Sequence, residues 1–256
     1  MRHRFKGLVC IGACLLAGRA VRAENAPAVE TIVSQMQQKN SERQRELEGY
    51  TAERTYRVEY HGTGGEHRGE INVHMQYGDH GEKHFTVVSE SGSKLICERV
   101  LRKMMATEQE ASERSERMQM MLSEENYSFE LQGQEMVDGV EAWVLRVAPK
   151  VDNKLTYRGR IWVSEDDFAV VRVQGEPAKN PSWWINRASF DWRYGRHGRF
   201  WLPERSTAMS HVRIGGEATL TIDYGNYRIL AEQKTTPSTE RPSSVPVQLA
   251  EHISAK

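Results

Sequence analysis

Hydrophobic positions change period twice along this chain. Val29, Ile32, Val33 and Met36 recur at i, i+3, i+4 and i+7, one face of a helix whose continuation, Gln37 to Glu48, is polar on most sides and so predicts a surface position. From Tyr50 the period becomes two: Tyr50, Ala52, Tyr56, Val58 and Tyr60 share one side, with Arg54 the exception. Glycines 62, 64 and 65 break the run, and Ile71, Val73, Met75 and Tyr77 then alternate with Asn72, His74 and Gln76. A third strand around Phe85 and Val87 precedes a second helix from Leu95 to Glu113, with Cys97, Leu101, Met104 and Met105 on one face. Strands then return in series: Tyr127–Val137 and Glu141–Val147 around Asp138-Gly139, a hairpin signal; Leu155–Ser164 and Ala169–Glu176 around Glu165-Asp166-Asp167; then Arg187–Tyr194, Arg205–Arg213 and Ala218–Ile229. About ten strands with only two helices predict a mainly β (α+β) fold, one large antiparallel sheet. A sheet of that size curls, and the helices then cover its concave side.

Both ends of the chain lie outside this pattern. Met1 to Lys6 is basic, Gly7 to Ala17 is short and apolar, and Val21-Arg22-Ala23 carries small residues at the −3 and −1 positions, which reads as a secretory signal peptide spanning 1–23. A second reading takes Ile11-Gly12-Ala13-Cys14 as a lipobox, with the protein anchored through acylated Cys14. A membrane span is disfavoured because Arg19 and Arg22 interrupt the apolar run. The folded domain is expected over 24–230. A Thr-, Ser- and Pro-rich segment, 231–256, has too few apolar residues to join its core.

Cleavage would shift the charge balance. The leader takes five basic residues and no acid, leaving 30 basic against 35 acidic side chains, which gives no electrostatic case for a nucleic-acid partner. It would also remove Cys10 and Cys14. Cys97 then stands alone, so no internal disulfide and no cysteine-rich zinc site is expected.

Candidate chemistry is sparse. His61, His67, His74, His80 and His84 crowd the first hairpins without a recognisable ligand spacing, and no metal or other cofactor is expected. Cys97 falls on the apolar side of its helix, where thiols are inert. No nucleophile elbow, phosphate-binding glycine loop or His-Glu-x-x-His helix occurs, so no catalytic residue is nominated and the chain is not expected to be an enzyme. The aromatics carry more information. Trp162, Trp183, Trp184, Phe190, Trp192 and Trp201 gather in a short stretch of a chain that is only 8% aromatic. Such residues fill cores, or they wall an apolar pocket beneath a curved sheet. These six are the candidate ligand-binding residues.

The segment Arg158-Gly159-Arg160-Ile161-Trp162-Val163-Ser164, followed by Asp167-Phe168-Ala169-Val170-Val171-Arg172-Val173, resembles the strand-turn-strand hairpin of the LolA/LolB-like superfamily. The outer-membrane lipoprotein-sorting branch is similar also through Gly175 to Trp184 and Phe200-Trp201-Leu202-Pro203. The resemblance implies an unclosed β-barrel with helices over its mouth, a periplasmic location, and an apolar cavity for lipid or the acyl chains of a lipoprotein. It also implies an alternative, because sensor domains of the RseB/MucB type share the hairpin. The same sheet would then be a regulatory module with an envelope protein as partner. An uncharacterised hydrolase is the third reading. One departure stands out: carriers of the LolA type have a basic residue beside proline at the end of an early strand, where this chain reads Val73 to Gly78.

Overall fold

The computed structural model describes residues 27–78, 82–110, 121–180, 185–213 and 215–230. It contains a helix α1 (Val29–Glu46), strands β1 (Tyr50–Gly62), β2 (Gly65–Tyr77) and β3 (Lys83–Gly92), and a helical run made of α2 (Lys94–Ile96), a π-turn (Cys97–Leu101) and α3 (Arg102–Glu110). Strands β4 (Tyr127–Val137), β5 (Val140–Pro149), β6 (Tyr157–Ser164), β7 (Val170–Pro177), β8 (Ile185–His197), β9 (Phe200–Val212) and β10 (Glu217–Ile229) follow.

All ten strands form one antiparallel sheet in the order β3-β2-β1-β10-β9-β8-β7-β6-β5-β4. Two meanders are joined where β10 lies beside β1, with Tyr56 opposite Ile222. β3 and β4 are the two ends of the order, so the sheet is unclosed. The chain passes from one edge to the other through the helical run. Turn chemistry sets the hairpins: Asp138 and Gly139 both have positive φ (50° and 84°), the two-residue loop whose twist matches its strands.

Alternation divides the sheet into an inner face, covered by helices, and an outer one. On the inner face Trp143, Leu145, Val147, Tyr157, Ile161, Val163, Val173, Phe190 and Trp192 pack against Ile32, Val33 and Met36 of α1. At the other end Tyr56, Val58, Ile71, Val73 and Ile222 pack against Ile96, Cys97, Leu101, Met104 and Met105. A third cluster, Tyr50, Ala52, Met75, Phe200 and Leu202, lies at the strand ends. The second helix approaches β2 closely because residue 69 is glycine: a Cβ there would stand 2.6 Å from Ile96 Cγ2.

Several details depart from the sequence reading. β9 begins at Phe200 rather than Arg205. Pro203 stops the alternation without stopping the strand, because a register shift between Arg193 and Tyr194 accommodates it. Gly195 to His197, read as a loop, belong to β8. The second helix is interrupted by the π-turn. The outer face also carries an apolar cluster of its own, Val137, Ala142, Val144, Trp162 and Val171, which the alternation did not announce. The leader, the 231–256 segment and Cys14 lie outside the described residues.

Candidate functional site

Between α1 and the inner face lies a cavity of about 170 Å³. The polar side of α1 supplies its roof with Gln37, Asn40, Ser41, Arg43 and Gln44, and the sheet supplies an apolar floor that includes Tyr50, Val173, Phe200 and Leu202. This division follows from the helix: Ile32, Val33 and Met36 bury its first two turns, and the polar continuation cannot pack as tightly, so space remains beneath it.

Polar contacts hold that roof in place. Gln37 Nε2 donates to the Leu122 carbonyl (3.3 Å), Arg43 Nη2 to Asn40 Oδ1 (2.9 Å) and Arg43 Nη1 to the Asp167 carbonyl (2.9 Å). The Asp167 carboxylate lies 3.8 Å from the same guanidinium and accepts from Trp201 Nε1 at 2.8 Å. Burial alone would raise the Asp167 carboxyl, but hydrogen bonds from Trp201, Ser164 and the Ala169 N–H, with the charge of Arg43, outweigh it and hold the group below its ordinary value. Phe168, next in the turn, sits at φ 55°, a conformation costly for a bulky side chain, with its ring stacked 5.3 Å from Trp143.

A pH dependence follows. Because the folded value is depressed, the stability contributed by Asp167 is complete above the ordinary aspartate range and is lost as pH falls through the folded value. Asp167→Asn should lower stability at neutral pH by about 1 kcal/mol. Denaturant midpoints measured from neutral to acid pH should show the gap from the parent closing as the parent's own carboxylate protonates. A constant gap would remove the charge from the account.

The six residues nominated from sequence divide. Trp201 lines the cavity. Phe190 and Trp192 are on the inner face, ring centroids 3.7 Å apart and stacked, packed in the core under α1 and not among the cavity's lining residues. Trp162, 1% exposed, is on the outer face, because it is one residue out of phase with the inward Ile161 and Val163. Its Nε1 donates to Glu135 (2.8 Å), and Arg160 and Arg172 cover its ring at 4.9 and 4.8 Å. Trp183 and Trp184 lie outside the described residues. Arg43 and Leu202 were not nominated: Arg43 sits in a polar run that reads as surface, and Leu202 is adjacent to a proline that obscures its strand. Neither carried a local signal of a cavity.

Other buried polar groups stand on the inner face. Trp143 Nε1, Trp192 Nε1 and the Tyr157 hydroxyl have no hydrogen-bond partner among the described residues. In β1, Arg54 Nη1 donates to Glu108 Oε1 (2.8 Å) and to the Tyr56 hydroxyl (3.0 Å), Tyr56 donates to Glu108 Oε2 (3.2 Å), and Lys83 Nζ donates to Glu108 Oε1 (3.0 Å). Burial, then the nearby Glu108 carboxylate, pushes the Tyr56 phenol well above its usual value, so it stays a neutral donor. Among the described residues no group of three or more His, Cys, Asp or Glu is placed to hold a metal ion, and no helix is long and apolar enough to cross a membrane.

The fold thus offers an unclosed ten-stranded antiparallel sheet with an apolar hollow roofed by a helix. No protein-family model and no curated protein matches the sequence. Solved structures similar to it include LolA-superfamily and lipoprotein-sorting proteins. A DUF1329 family protein from Desulfovibrio piger is 14% identical, with 80% of this chain and 94% of that one covered and a TM-score of 0.43. A putative outer membrane lipoprotein-sorting protein domain from Vibrio parahaemolyticus is 10% identical over 80% and 94%, TM-score 0.40. A LolA superfamily protein from Nitrosomonas europaea is 11% identical over 81% and 96%, TM-score 0.37.

Proposed function

We propose that this chain is an exported, non-enzymatic binder of apolar chains, a periplasmic carrier for lipid or for the acyl groups of lipoproteins. The observation that carries this reading is the cavity between α1 and the sheet, apolar on its floor and closed by a helix with only three buried apolar anchors. Burying an acyl chain yields about 0.8 kcal/mol per methylene, so shape and apolar lining supply affinity without a reactive group. A space of 170 Å³ suits a benzene-sized group or the end of a chain. A longer chain requires α1 to move and would enter over Trp143, Tyr157 and Trp192. Their unpartnered N–H and O–H groups would there meet the carbonyl oxygens of an ester or amide.

Uptake of a fluorescent fatty acid by the purified chain, competed by unlabelled lipid, tests this: saturable binding is expected, and absence of binding sinks the reading. A second reading, a regulatory module with an envelope protein partner, is favoured by one observation. Among the described residues neither edge strand has a second partner strand, and both carry exposed apolar side chains, Val88 on β3 (59%) and Met136 on β4 (62%), which suits addition of a partner's strand. Native mass spectrometry of protein isolated from an envelope fraction separates the two, as a lipid-sized adduct or a stoichiometric protein.

A further inference from the structure

Arg54 is the one charged side chain on the inward side of β1, between Ala52 and Tyr56, and it is 1% exposed. Its guanidinium lies 4.9 Å from the Tyr224 ring centroid and 5.4 Å from that of Phe85. One of its three nitrogens, Nη1, is engaged by Glu108 and Tyr56. Nε and Nη2 have no hydrogen-bond partner among the described residues. These two carry the parallel N–H bonds that clasp both oxygens of a carboxylate, or two of a phosphate, in a single plane. A lysine so buried could shed its proton, but a guanidinium does not, so the unsatisfied edge is a standing cost of the fold. Aromatic rings on either side cannot satisfy N–H groups lying in the guanidinium plane.

We propose that the Nε–Nη2 edge of Arg54 receives the anionic head, a carboxylate or a phosphate monoester, of a single-chain amphiphile whose tail occupies the cavity under α1. This rests on the apolar-chain reading above and names the ligand's class. Tyr50, which lines the cavity, lies on the same side of β1 four residues before Arg54, about 13 Å along the strand. The interval on β1 is the single inward residue Ala52, with Met75 and Phe85 in register beside it, and the buried Lys83–Glu108 pair runs alongside. Ala52 and Met75 belong to the strand-end cluster with Tyr50, and Phe85 packs against both that cluster and the one around Tyr56. A tail in the cavity and a head at Arg54 would be joined past Ala52, Met75 and Phe85, which would have to part to admit the chain.

The test compares cis-parinaric acid with its methyl ester on the full chain, by fluorescence. The acid should bind about tenfold or more tightly than the ester, since the ester cannot accept two charge-assisted bonds. Arg54→Lys, which loses the fork and at this depth can also shed its charge, should erase most of that preference in protein that keeps the parent's circular dichroism. Equal affinity of acid and ester for the parent protein overturns the inference and leaves the carrier reading standing. Binding of neither overturns both. Dodecyl phosphate should compete with the acid and inorganic phosphate at millimolar concentration should not. Equal competition by the free ion would make the fork a site for small anions and overturn the proposal of an amphiphile.

Discussion

Glu108→Ala should lower the stability of the fold by about 3–5 kcal/mol, because it leaves the buried cations of Arg54 and Lys83 without the carboxylate they share. Both oxygens of Glu108 are in use, and its side chain is 2% exposed, so water cannot take its place without opening the packing of α3 on the sheet. Glu108→Gln, which keeps an acceptor and loses the charge, should cost less. The triple replacement Arg54→Leu, Lys83→Met, Glu108→Leu should regain most of the loss, since removing all the charges also removes their desolvation cost. Urea unfolding with a common m-value measures all three. A loss for Glu108→Ala within about 0.5 kcal/mol of zero would contradict the buried, shared geometry.

This cluster also shows how far the sequence could be read. Alternation over β1 assigned the inward side correctly, and the same alternation exposed Arg54 as the residue that breaks it. A charged side chain at an inward position is the signature of a site or of a strained place in a fold. Its partners were not legible, because Glu108 is 54 residues away on a helix and Lys83 opens a different strand. Period two specifies which face a residue takes but not which strand lies alongside. The adjacency of β1 and β10, which seats Tyr224 against Arg54, therefore could not be deduced from either strand alone.

The tryptophans show the opposite case. Their density between residues 162 and 201 is a real feature of the sequence, yet nearness in sequence says nothing of facing. Trp162 and Trp192 lie on opposite faces of adjoining hairpins, and among the described tryptophans only Trp201 lines the cavity. The cavity itself arises where a polar helix turn fails to fill space over an apolar sheet. That is a property of two elements together, and no stretch of either encodes it.

Leu202→Trp should therefore reduce fatty-acid uptake by tenfold or more, while Trp162→Phe should leave it unchanged. Leu202 is buried in the floor of the cavity beside Phe200 and Tyr50. An indole at that position occupies the space a ligand would need, and the cavity limits the overpacking cost to about 1–3 kcal/mol. Trp162→Phe removes the hydrogen bond to Glu135 and weakens the stacking of Arg160 and Arg172, at a cost on the order of 1 kcal/mol. It changes nothing on the inner face. Both variants should keep the parent's far-ultraviolet circular dichroism, so that uptake is read from folded protein. The reverse outcome, with uptake lost in Trp162→Phe and kept in Leu202→Trp, would move the ligand surface to the outer face. There the arginine-covered Trp162 cluster, and not the space beneath α1, would be the place where an apolar chain is held.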